Sequence, residues 1–176
     1  MVLPPGDPWS AYARLVVEID VTTSAAPAQL TEPAELTQPA VSSQPACELV
    51  VVRAAPVGQA GRWPFLSREP VHVLTAWNPG ERRPGLDANR DAQARLERAL
   101  QRLDARTSVA RGRDPVTGER DEGVAVHGLA EETVRALGAR FGQDAIYAWS
   151  PLEWAIVSCT GPRREVSGWA LLDRAG

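Results

Sequence analysis

Prolines at positions 27, 33, 39 and 45 recur every six residues and set the first limit on what this chain can fold into. They punctuate three copies of a hexapeptide, Ala28–Pro33, Ala34–Pro39 and Ala40–Pro45. Each proline removes a backbone donor and restricts the residue before it, so neither a helix nor a central strand runs through the segment. A hexapeptide β-helix would place proline inside its strands, which strand ladders exclude. The segment reads as a flexible, partly polyproline-II insert that arose by local duplication. The organisation that follows has four parts: an N-terminal segment with a first strand (1–24), a disordered proline-rich insert (25–46), a main α/β domain (47–160) and a polar C-terminal tail (161–176).

On either side of the insert the apolar pattern resumes. Residues 11–21 and 47–54 are rich in β-branched side chains and read as strands. Residues 71–77 form an apolar run suited to a strand buried on both faces, and Asn78-Pro79-Gly80 ends it with a turn signal. Residues 86–103 carry helical periodicity, with Leu96, Leu100 and Leu103 on one face and Ala92 and Asn89 extending that stripe. Asp87 is the expected cap, and Asp91 stands four residues before Arg95 as a supporting pair. Two strands, 106–113 and 122–129, flank the turn Asp114–Gly118. Ala130, Val134, Leu137 and Phe141 then mark a second helix, closed by Gly142 at C′. Short strands at 145–149 and 154–159 complete the pattern as a hairpin. Not every strand is followed by a helix. The predicted class is therefore α/β (α+β), one mixed β-sheet of about six strands with two main helices packed on it.

Composition narrows the chemistry. All 19 basic residues are arginine, which points to a GC-rich genome of the actinobacterial kind. Without lysine, Schiff-base catalysis, a pyridoxal phosphate anchor and a Walker A loop cannot operate. Cys47, Cys159, His72 and His127 lie far apart, with none of the usual ligand spacings, so no metal and no cofactor are expected. A net charge of −3 argues against nucleic acid as a partner. No apolar run is long enough for a bilayer and the N-terminus lacks a signal-peptide pattern, so a cytoplasmic location is expected.

The order Thr75-Ala-Trp-Asn-Pro79, Asn89 opening a leucine-rich helix, Gly112-Arg113-Asp114, Glu122-Gly123 and Arg140-Phe-Gly-Gln-Asp-Ala-Ile146 resembles a bacterial domain-of-unknown-function family, number 3293. The likeness covers roughly residues 71–150. It implies a compact α/β domain and supplies no activity, substrate or cofactor.

A candidate site follows from where polar residues meet element ends. Asn78 ends a central strand, where α/β folds commonly place ligands. Asn89 lies in the first turn of the next helix, close to free backbone donors and the positive end of the dipole. Arg113, Glu122 and Gln143 stand at other element boundaries and could reach the same corner. Such a cluster would hydrogen-bond a small polar or anionic ligand. The competing reading makes Asn78 a turn residue braced by Asn89, with Arg113 and Glu122 as a salt bridge bracketing a hairpin. Of the two, the brace has the stronger claim. His72 and His127 read as hydrogen-bonded strand residues rather than bases. The six tryptophans read as core and lid rather than a stacking platform.

The function these features support is a non-catalytic binding or regulatory module for a protein or small polar ligand. The alternative is a small enzyme acting on an anionic substrate at the Asn78/Asn89/Arg113/Glu122 corner.

Overall fold

The computed structural model describes Asp7 and residues 9–22, 47–80 and 82–172; the repeat insert lies outside the described residues. Among these residues eight strands pair antiparallel throughout: β1 Val16–Thr22, β2 Cys47–Ala55, β3 Val71–Leu74, β4 Arg106–Arg113, β5 Arg120–His127, β6 Ala145–Trp149, β7 Trp154–Ser158 and β8 Arg164–Leu171. They close on themselves in the order β1-β2-β8-β7-β6-β3-β5-β4, with β4 returning to β1 through Val16–Ile19 against Ala110–Arg113. The expected single mixed sheet of about six strands is therefore wrong: among the described residues the architecture is a closed antiparallel barrel, which leaves no sheet edge exposed.

Among the described residues three helices accompany it: α1 Ser10–Arg14, α2 Leu86–Gln101 and α3 Glu131–Arg140. Connectivity explains how crossover helices coexist with an antiparallel sheet. β3 and β4 run parallel but are separated by β5, and β5 and β6 run parallel but are separated by β3. Each long helix carries the chain over one intervening strand, so both lie on the same sector of the outer wall. The rest of the barrel needs only inward-facing apolar side chains.

Two cores result from the alternation of side chains along each strand. Val17, Ile19, Val52, Trp149, Trp154 and Trp169 fill the barrel interior, all of them essentially fully buried. The outer faces of β3 and β5–β7 contribute Leu74, Val124, Val126, Ile146 and Val157 to a second core under α2 and α3. β2 and β3 stand four places apart in the ring, so residues 56–70 must travel across the barrel. They bring Trp63 and Phe65 onto Trp149, with ring centroids 5.0 and 5.3 Å away. At the opposite end α1 lays Tyr12 over Tyr147, whose hydroxyl donates to the Tyr12 carbonyl at 3.0 Å. Arg14 fixes α1 to the β4–β5 turn through Asp114 at 2.7 Å, which holds that carboxyl down at about 2.

Several local expectations change. Residues 11–14 are helical, not the start of the first strand. Residues 164–171, expected in a polar tail, form β8, whose Trp169 faces the interior. Gly85, not Asp87, is the N-cap of α2. Asp91 and Arg95 form no ion pair among the described residues, whereas Arg90 pairs with Asp87. Gly142, at φ +76°, does occupy C′ of α3, with the Gln143 N–H returning to the Gly138 carbonyl.

Candidate functional site

The segment after β3 turns away from the barrel at Asn78, whose φ of 46° is left-handed, a conformation asparagine tolerates better than most residues. Thr75 prepares the turn: its hydroxyl donates to the Glu122 carbonyl and accepts the Trp77 N–H at 2.9 Å. The Asn89 side chain then ties the turn to α2. Its Oδ1 accepts the Asn78 N–H at 3.1 Å, and its Nδ2 donates to Asn78 Oδ1 at 3.0 Å. Asn78 Nδ2 donates to Asp121 at 2.8 Å, and Gln143 Nε2 donates to the Trp77 carbonyl at 2.8 Å. One turn further along α2, buried Gln93 accepts the Ala76 N–H at 3.2 Å. Burial pushes the Asp121 carboxyl above its ordinary range, against the opposing pull of the Asn78 bond.

Of the five residues singled out from the sequence, the structure brings Asn78, Asn89 and Gln143 to one place. Arg113 and Glu122 do not join them. Gly123 and Ala125 alternate inward on β5, so Glu122 lies on the outer face and is exposed. The strand register sets Arg113 opposite Arg120 and Glu122 opposite Arg111, and no salt bridge joins Arg113 to Glu122 among the described residues. The carboxylate that does reach the corner is Asp121, one residue earlier and on the opposite face. The three amides are engaged with backbone and with one another, so the corner is a polar knot that holds the β3–α2 turn to the barrel rim.

Beside this knot, between α2 and the C-terminal end of α3, lies a cleft of about 660 Å³. Its charged lining is arginine alone among the described residues: Arg82, Arg95, Arg98, Arg102 and Arg140. Arg95, Arg98 and Arg102 follow spacings of three and four, which puts them on one face of α2 and its C-terminal extension. Arg82 comes from the turn, with its guanidinium 3.4 Å from where a Cβ on Gly142 would sit. No guanidinium of the five hydrogen-bonds or ion-pairs with another described residue, although Arg140 lies 6.0 Å from the Phe141 ring centroid. Sequence reading missed this cleft because it assigned Arg95 to Asp91. The signal was present in the spacing of Arg95, Arg98 and Arg102.

A smaller pocket of about 350 Å³ lies at the N-terminal end of α3, with His72, Glu131, Glu153 and Arg164 in its lining. Arg164 donates to Glu131 at 2.7 Å and to Glu153 at 2.9 Å, while Glu69, also in the lining, lies 4.0 Å from Arg106 outside the pocket. Burial lowers the pKa of His72, whose Nδ1 has no partner among the described residues. His127, also lowered by burial, meets the Ser108 hydroxyl at 3.3 Å and the edge of Phe65. Cys159 is buried, with its thiol pushed up to about 11. No helix among the described residues is long and apolar enough to cross a membrane.

No curated protein and no solved structure matches the chain. A family model does match, from the end of β3 to the start of β6, a stretch that contains the whole polar knot and every residue lining the arginine cleft. Over residues 74–146 the chain is similar to the family described as Protein of unknown function (DUF3293).

Proposed function

We propose that the protein is a non-catalytic binding module whose ligand is anionic and seats in the cleft between α2 and the end of α3. The observation that carries this reading is the set of five guanidinium groups lining one cleft with no carboxylate among its described lining. Like charges gathered on a partly sheltered surface repel one another, and an anion relieves that repulsion while accepting charge-assisted hydrogen bonds. Arginine suits the task because its planar fork donates in pairs to phosphate or carboxylate oxygens. The enzymatic alternative has less support, since Arg113 and Glu122 stand apart from Asn78 and the knot's amides are already engaged.

The test is thermal denaturation with inorganic tripolyphosphate in low salt. A ligand at a hundred times its Kd stabilises the folded state by about 2.7 kcal/mol, or roughly 5–10 °C for a chain of this size. Such a rise, absent from the Arg98→Gln/Arg102→Gln variant, is the expected result. An unchanged melting temperature at millimolar tripolyphosphate contradicts the reading.

A further inference from the structure

Resting on the anion-binding reading of the same cleft, we infer that its ligand is a nucleoside polyphosphate: a planar, weakly polar body carrying clustered phosphates. The cleft has two chemistries. Arginines form one, and the other is apolar: Ala88 and Ala92 with Pro79, Pro84 and Phe141. A bare phosphate or carboxylate would leave that apolar wall exposed to water. The volume of about 660 Å³ lies within the range of about 300–1,000 Å³ that small-molecule sites occupy.

The two chemistries are also separated along α2. Ala88 and Ala92 sit in its first half, and the small side chains leave a flat wall facing the end of α3. Arg95, Arg98 and Arg102 continue the same face and span about 10 Å along the axis, enough to meet more than one phosphate. Phe141 lines the cleft half-buried, packed in part on the second core and 6.0 Å from the Arg140 guanidinium, and a purine or pyrimidine would stack on the part of the ring left exposed.

An extended nucleic acid backbone suits the surroundings less well. Away from the cleft, Arg90, Arg106 and Arg111 are each paired with a carboxylate (Asp87, Glu69 and Asp20), and the chain as a whole carries a net charge of −3. Through these arginines, no unpaired basic track extends the cleft for successive phosphates.

The deciding experiment is calorimetric titration of the whole chain with ADP, pyrophosphate and oligothymidylates of two lengths, in one low-salt buffer without divalent cations. ADP and pyrophosphate carry similar charge, so their ratio isolates the nucleoside. The inference expects ADP to bind one to one and at least fivefold tighter than pyrophosphate. It expects Phe141→Leu, which keeps an apolar side chain but removes the ring, to erase most of that ratio. It also expects Arg98→Gln/Arg102→Gln to weaken both ligands by tenfold or more. A smaller ratio in the wild type overturns the nucleoside assignment and leaves the anion reading standing. Oligothymidylate binding tighter than ADP, with affinity rising with length, overturns it in favour of a strand backbone. Failure of both ADP and tripolyphosphate to bind removes the two readings together.

Discussion

The polar knot and the arginine cleft are neighbours that share Asn89 and the β3–α2 turn, yet they use polar groups in opposite ways. In the knot, Asn78, Asn89 and Gln143 are each hydrogen-bonded to backbone or to one another. In the cleft, five guanidinium groups face solvent with no partner among the described residues. A buried amide without a partner is costly, so an engaged amide marks architecture. An exposed cation costs little alone, and under the proposal of an anionic ligand the five arginines around this concavity are the groups that would receive it. The difference teaches that a polar cluster at the end of a strand is not by itself a site. What separates the two is whether the groups are already engaged.

This contrast can be broken most sharply at Asn89. Asn89→Ala strips the Asn78 N–H and the Asn78 carboxamide oxygen of their partners, at an expected cost of about 2–3 kcal/mol. The melting temperature should fall by roughly 4–12 °C. A variant as stable as the wild type would mean that the amides are held for something other than the fold. Gln143→Ala is expected to cost less, about 1–2 kcal/mol, because only the Trp77 carbonyl loses a donor. Chemical denaturation measures that directly.

Asp121 gives the knot a pH signature. Its folded pKa stands above the value near 3.8 that it takes in the unfolded chain. Between those two values the folded state binds more protons than the unfolded state, so this group's contribution falls as pH rises through the window. Asp121→Asn keeps an acceptor for Asn78 and removes the buried charge. Its stability relative to wild type should therefore improve from pH 4 to pH 7, and a relative loss over that range would contradict the burial account. The smallest effects belong to the two residues outside both regions. Arg113→Ala and Glu122→Ala should each stay within about 0.5 kcal/mol of wild type, as surface substitutions without special contacts do.

Sequence reasoning found the helices and most strands because periodicity is local. Leu96, Leu100, Val134 and Leu137 announce their faces without reference to anything distant, and Gly142 announces a helix end. Closure of the barrel is not local. It depends on β1 pairing with β4 across some ninety residues, and on β8, whose outward Arg164 and Gly168 disguise the inward Trp169. The polar segment 161–176 therefore looked like a tail.

The corner shows the same limit at finer scale. Asn78, Asn89 and Gln143 were legible because each stands at the boundary of a strongly patterned element. The sequence points to Glu122, whereas the carboxylate at the corner is Asp121, one residue earlier, and in a strand one residue exchanges the two faces. The cleft was hidden for another reason. Its walls come from α2, the turn and α3, and only packing of the two helices over adjacent strands makes the arginines face one space.

The central claim is that the amides hold the fold and the arginines hold a ligand. The direct test is the melting temperature of wild type, Asn89→Ala and Arg98→Gln/Arg102→Gln, each measured with and without tripolyphosphate in low salt. The account predicts that Asn89→Ala melts several degrees lower but still gains stability from the anion. It predicts that the arginine variant melts within a degree or two of wild type and gains nothing. The reverse pattern, in which the arginine variant melts far lower or retains the full anion response, would contradict it.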